Sequence, residues 1–228
     1  MKSSVPRRLR LAAVAVLLLL LTTAVLAGPP LICHPFDIGG AKSLPWISHS
    51  WNLSGSESYD TSKLATDTIA ILAADDTVLV HMETLRRATL YARKDPAAAK
   101  QLLTRIMMST KDARPSQSRG LTYFDSGYLA EAYKQWLGDA PNNPAANIDG
   151  YGLVKEALRI RGNDPQMELA AALMTLSGPA AEHRAHAEKA IAGAKNDPLL
   201  ARNLSAHFLG NQGQTLAELL SKTTVAEK

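Results

Sequence analysis

Three tripeptides, Lys94-Asp95-Pro96, Asn163-Asp164-Pro165 and Asn196-Asp197-Pro198, decide how this chain is read. In each, an aspartate can accept a hydrogen bond from the first free backbone N–H groups of a helix. The proline then occupies the first helical position, where its missing N–H is no loss and its φ is already helical. Each tripeptide therefore predicts a helix start.

Apolar residues recur at helical spacing around these starts. A first helix is predicted from Asp60 or Thr61 to Asp75-Asp76, striped by Leu64, Ile69, Leu72 and Ala73. Asp76 is expected to cap a second, which carries Val78, Leu79, Met82, Leu85 and Ala88 and ends at Lys94. Leu102, Leu103, Ile106 and Met107 mark a third. A loop is expected from Arg114 to about Gly120, then a helix bearing Tyr123, Phe124, Tyr128, Tyr133 and Trp136. Gly138 to Asn147, with Pro141 and Pro144, reads as a loop. Helices follow at Tyr151 to Arg161, Pro165 to Leu176, Pro179 to Ala194, Pro198 to Phe208 and Gln214 to Ser221. The expectation is about nine helices and no strand, an all-α body over residues 60–228.

Residues 28–59 differ. Pro29, Pro30, Pro35, Pro45, Gly39, Gly40 and Gly55 leave no period in this stretch. It still holds Leu31, Ile32, Phe36, Leu44, Trp46 and Trp51, too many apolar side chains for a free tail. It reads as an extended, non-helical N-terminal arm lying against the body.

The last two Asp-Pro steps are 33 residues apart and the first two 69, near two such periods. Ala187, Ile191 and Ala194 precede Pro198 at helical spacing. Val154, Leu158 and Arg161 precede Pro165, and Leu85, Thr89 and Ala92 precede Pro96, in a partly similar way. Over about residues 76–222 this resembles the tetratricopeptide repeat, a row of stacked helix hairpins. The family's first-helix signature of Trp, Leu-Gly and Tyr is not matched in order, so an irregular helical bundle stays open beside the TPR-like α-solenoid. The resemblance implies a groove for a protein or peptide partner and no catalysis of the chain's own.

The N-terminus adds a location. Lys2, Arg7, Arg8 and Arg10 precede the apolar run Leu11 to Leu26, and Val25 and Ala27 are small enough for a signal-peptidase site. This predicts a signal peptide over 1–27, cleaved before Gly28, and a secreted or periplasmic protein with no membrane attachment afterwards. Those four residues account for part of the 25 Lys and Arg; without them 21 basic residues face 21 acidic ones. A neutral mature chain has no general attraction for nucleic acid or for an anionic membrane. With one cysteine, Cys33, no internal disulfide is available. Asn52 and Asn203 begin glycosylation sequons, which matter only in a eukaryotic secretory path.

Chemistry-bearing residues are few. Cys33-His34 pairs a thiol and an imidazole, good ligands for a metal or haem iron, with Asp37, His49 and His81 as further donors if the arm folds back. That is the alternative reading: a periplasmic metal- or haem-binding or redox protein. Against it, neighbours in an extended segment point to opposite faces, and a haem-attachment motif would need a second cysteine. Gly39-Gly40-Ala41-Lys42-Ser43 lacks the glycine spacing of a phosphate loop. His183 and His186, three apart on one helix, read as a solvated polar face. Glu83 and Arg87 read as an ordinary i,i+4 pair, and Arg86 with Arg87 as a candidate anion site. No two carboxylates can be singled out for hydrolysis. The residues expected to line a binding surface are Cys33, His34, Asp37, Trp46 and Trp51 on the arm, with Arg86, Arg87, Tyr128 and Trp136 on the body.

Overall fold

A computed structural model describes residues 29–47, 51–54, 56–112, 117–138, 140–162 and 164–209. The signal segment, His49 and the helix expected at Gln214 to Ser221 lie outside the described residues. Within them the chain forms eight α-helices and no strand: α1 Leu64–Ala74, α2 Val78–Ala92, α3 Pro96–Asp112, α4 Gln117–Leu137, α5 Gly150–Arg161, α6 Pro165–Met174, α7 Ala180–Gly193 and α8 Pro198–Leu204. A 3-10 turn, Thr61–Lys63, leads into α1, and a π-turn, Ser205–Leu209, continues α8.

All three Asp-Pro steps start helices as their chemistry requires. Asp95 accepts from the Ala98 N–H at 3.0 Å. Asp164 accepts from the amides of Gln166 and Met167, and Asp197 from those of Leu199 and Leu200. Two of these caps also tie helices together. The Thr61 hydroxyl donates to Asp95 at 2.7 Å, and the Gln166 side chain donates to Asp197 at 2.6 Å. Gln166 in turn accepts from the Leu79 amide at 3.1 Å, joining the start of α6 to the start of α2.

Two boundaries differ from the sequence expectation. The residue capping α2 is Thr77, because the Asp75 carboxylate takes the Thr77 amide at 2.8 Å and sets the turn one residue later than Asp76 would. Gln117 to Gly120, expected as loop, already belong to α4.

Helices pack as neighbouring pairs, α4 with α5 and α6 with α7, while α2 lies at the centre against α1, α3, α4 and α6. The α4–α5 approach is so close that a Cβ on Gly127 would sit 2.4 Å from the Gly150 carbonyl oxygen, a position only glycine can occupy. Of the 15 residues of α2, 14 are buried, so it has no solvated face. The aromatic run behaves as core: Phe124, Tyr128 and Tyr133 are buried, while Tyr123 and Trp136 pack on the core's edge.

The arm completes this core. Pro29 accepts from the amides of Ile32 and Cys33, making one tight turn. That turn sends Leu31 and Ile32 inward, and both are 0% exposed. Phe36 and Leu44 follow. Between them Gly39 and Gly40, at φ 64° and 97°, bend the chain through conformations that disfavour other residues. The non-helical arm therefore contributes Leu31, Ile32, Phe36 and Leu44 to the interior.

Replacing Ile32 with Ala is expected to cost about 2–5 kcal/mol in urea unfolding, the range for a buried aliphatic residue in any core. Ile47→Ala, at an exposed position of the same arm, is expected to change stability by no more than about 0.5 kcal/mol. Equal, small effects at both positions would contradict a docked arm.

Candidate functional site

An arm without helix or strand leaves its N–H and C=O groups without ladder partners, and burial makes each of them costly to leave unpaired. Side chains of α2, α4 and α8 supply the partners. At the arm's start the Leu31 amide donates to Gln135 Oε1 at 2.9 Å, and the Tyr128 hydroxyl donates to the Leu31 carbonyl at 3.2 Å. Arg86 Nη1 reaches the carbonyls of Ile32 and Trp51, at 3.1 and 2.9 Å. The Phe36 amide donates to Glu83 Oε2 at 2.9 Å. Asn203 grips Asp37 with both ends of its amide, accepting from the Asp37 N–H and donating to the Asp37 carbonyl, each at 2.9 Å. Further along, Arg87 Nη1 donates to the Leu44 carbonyl at 2.7 Å and the Tyr91 hydroxyl to the Pro45 carbonyl.

The centre of this track is a charge cluster inside α2. Glu83 and Arg86 are both fully buried. Arg86 Nε and Nη2 bind the Glu83 carboxylate in a two-point fork at 2.7 and 2.9 Å, and Arg87 Nε shares Oε1 at 2.7 Å. Both guanidinium groups lie over the Trp46 ring, 5.1 and 5.7 Å from its centre. The pair read from sequence as an ordinary i,i+4 pair is thus interior, and the two arginines spend their donors on Glu83 and on arm carbonyls.

The residues expected to bind fall into three sets along the arm. Trp46, Arg86, Arg87, Tyr128 and Asp37 belong to the track. Asp37 is also held below the usual carboxylate range by Arg202 at 2.6 Å and by the Gly39 amide. Trp51 and Trp136 meet edge to face at 6.2 Å, with Arg93 stacked 4.7 Å over Trp136, beside a cleft of about 370 Å³. Cys33 is a free, half-buried thiol whose pKa burial raises against the opposing charge of Arg86. His34 contacts a residue that sequence reasoning did not name, His207 of the π-turn. The other donors imagined for a metal are engaged: Asp37 with Arg202, and His81 with Asp125. No group of three or more His, Cys, Asp or Glu side chains among the described residues is placed to hold a metal ion.

Two further polar networks are interior. His81 Nδ1 meets Asp125 at 2.6 Å and Nε2 meets the Asp75 carbonyl at 2.6 Å, next to a cavity of about 300 Å³ between α1, α3 and α4. With both ring nitrogens engaged, His81 offers no free base to that cavity. His186, read as solvated, is buried and bonds Glu168 and the Tyr151 hydroxyl, at 2.5 and 2.7 Å. His183 bonds the Ala172 carbonyl at 3.0 Å. The Glu168 carboxyl, although burial pushes its pKa up, is held below the ordinary value by His186 and Lys189. Asn203, first residue of a sequon, is 1% exposed with its amide engaged, so a glycan there is incompatible with this fold.

No protein-family model matches the chain, and no curated protein or solved structure shows significant similarity to it. No helix among the described residues is long and apolar enough to cross a membrane.

His81 gives a pH prediction. Burial pulls its pKa down, but the Asp125 carboxylate and the hydrogen bonds to Asp125 and Asp75 outweigh this and leave it raised. A raised histidine stabilises fully below its unfolded value of about 6.5, and the stabilisation fades as pH climbs through the folded value. The urea midpoint is expected to fall as pH rises above about 6.5. Asp125→Asn is expected to flatten that decline; an unchanged slope would show that the pair does not set it.

Proposed function

We propose that the protein is exported, loses residues 1–27, and works as a soluble binding protein for a protein or peptide partner, without catalysis of its own. One observation carries this reading: α2, α4 and α8 hold a stretch of irregular polypeptide by its main-chain N–H and C=O groups. Those groups are common to every peptide, so the same track accepts an extended segment of another chain. The arm is its resident occupant.

The arm's own side chains indicate what a partner must bring. Leu31, Ile32, Phe36 and Leu44 fill apolar positions, and Asp37 meets Arg202. A partner segment with apolar residues followed by an acid fits best. The tethered arm competes with it, so the apparent affinity is reduced by the fraction of time the arm is docked.

A fluorescent peptide of residues 29–47 tests this by anisotropy against the full chain. Saturable, weak binding to the wild type is expected. Tightening by about tenfold or more is expected when the tethered arm is weakened by Phe36→Ala, which leaves the body unaltered. A scrambled peptide binding equally well, or no saturable binding to either protein, would overturn the reading.

A further inference from the structure

The cavity of about 300 Å³ between α1, α3 and α4 shares no lining residue with the track that holds the arm. A cavity of about 150 Å³ already takes a benzene ring, so this one has room for a ring or short chain with a polar head. Ile69, Leu72, Ala73, Ile106 and Leu121 form its apolar wall. Ile106 and Leu121 are buried, Ile69 and Leu72 half-buried and Ala73 exposed, so the cavity opens to solvent along α1.

Its polar side chains share one property. They are Asp76, His81, Ser109, Thr122 and Asp125, and none offers a free donor. The Ser109 hydroxyl donates to the Arg105 carbonyl at 3.1 Å, and the Thr122 hydroxyl to the Arg119 carbonyl at 2.9 Å. A hydroxyl whose hydrogen is spent keeps only its acceptor lone pairs. His81 Nε2 lies 2.6 Å from the Asp75 carbonyl, which can only accept, so this nitrogen donates. His81 Nδ1 lies 2.6 Å from Asp125 Oδ1, with the proton between them whichever group owns it. Asp125 is 5% exposed, and its second oxygen, Oδ2, accepts no hydrogen bond from the described residues. The Asp76 carboxylate, exposed at the mouth, makes no ion pair among them.

Charge points the same way. No lysine or arginine lines the cavity. The His81–Asp125 pair is neutral as a unit, which leaves the Asp76 charge uncompensated. An anion, or a group that only accepts, would meet lone pairs on every side and lose its water without replacement. A ligand must therefore bring donors and positive charge. No three His, Cys, Asp or Glu side chains among the described residues are placed to hold a metal ion, and the apolar wall offers such an ion nothing. A primary ammonium brings three N–H donors on one atom, and its hydrocarbon body matches the wall.

We propose that this cavity binds a small organic cation, a primary ammonium on an apolar alkyl or aryl body. The ammonium donates to Asp125 Oδ2, with the Ser109 and Thr122 oxygens as further acceptors, and the body lies along Ile69, Leu72, Ile106 and Leu121. The site lies apart from the arm, so it stands whether or not the track accepts a foreign peptide.

Phenethylamine is the probe, titrated into the full chain by calorimetry and by methyl-resolved NMR. One saturable site is expected, with shifts concentrated on the methyls of Ile69, Leu72, Ile106 and Leu121. Phenylethanol, of the same shape but uncharged, is expected to bind about tenfold more weakly, and hydrocinnamate, a carboxylate, more weakly still. Asp125→Asn is expected to weaken the amine by about tenfold. Asp76→Asn, at an exposed position on which folding does not depend, is expected to weaken it by about threefold. Phenylethanol or hydrocinnamate binding as tightly as the amine, an amine affinity unchanged in Asp76→Asn and in folded Asp125→Asn, methyl shifts centred elsewhere, or no saturable binding to the wild type would each overturn the proposal.

Discussion

At the middle of the most buried helix sits an ion cluster, Glu83 with Arg86 and Arg87, and the arm is arranged around it. Charges in such a place are expensive to desolvate. They persist only where geometry and extra hydrogen bonds satisfy them, and removing one partner strands the other. Here the Glu83 carboxylate accepts from both guanidinium groups and from the Phe36 amide, and Arg86 spends a remaining donor on the carbonyls of Ile32 and Trp51. Neither side is complete alone. Without the arm, Arg86 loses carbonyl partners; without Arg86, the Ile32 and Trp51 carbonyls lose this donor. An apolar core at this position would give comparable stability but no fixed path for an irregular segment. The cluster selects one path.

From that constraint the rest of the architecture follows. Elements α4 and α8 supply Tyr128, Gln135 and Asn203 at the points where the arm's main chain passes them. Glycines at 39 and 40 bend the segment between its two buried stretches, Leu31 to Phe36 and Leu44. The helical body thus holds its own arm by the polypeptide backbone. The proposed partner-binding role needs no new chemistry beyond this. It needs only an incoming segment that outcompetes the resident one.

Much of the helical plan was legible because it depends on local chemistry. Asp-Pro steps start helices through neighbouring amides, whatever surrounds them. The arm's apolar content likewise announced that it is docked. What stayed hidden depends on long-range packing. Glu83 and Arg87 have the spacing of a surface pair, and period alone does not tell a solvated helix from a helix enclosed on every side. One signal was present: a Glu-Thr-Leu-Arg-Arg stretch within an otherwise apolar helix, a pattern that calls for a polar partner from elsewhere in the chain. His186 was misread for the same reason, its partner Glu168 lying on the preceding helix. Nothing local to Asn203 or His207 marks them, since both act on residues more than 160 positions away in the sequence. Asp76 failed as a cap because Asp75 took the competing turn.

The most direct measurement of the central claim is residue-resolved amide hydrogen exchange on the native protein. If side chains of the body hold the arm's main chain, the amides of Leu31, Phe36 and Asp37 exchange orders of magnitude more slowly than in a free peptide of the same sequence, because each is donated to a side chain of the body. Exchange of those three amides at free-peptide rates, while helix α2 stays protected, would show that the arm is not held by this cluster.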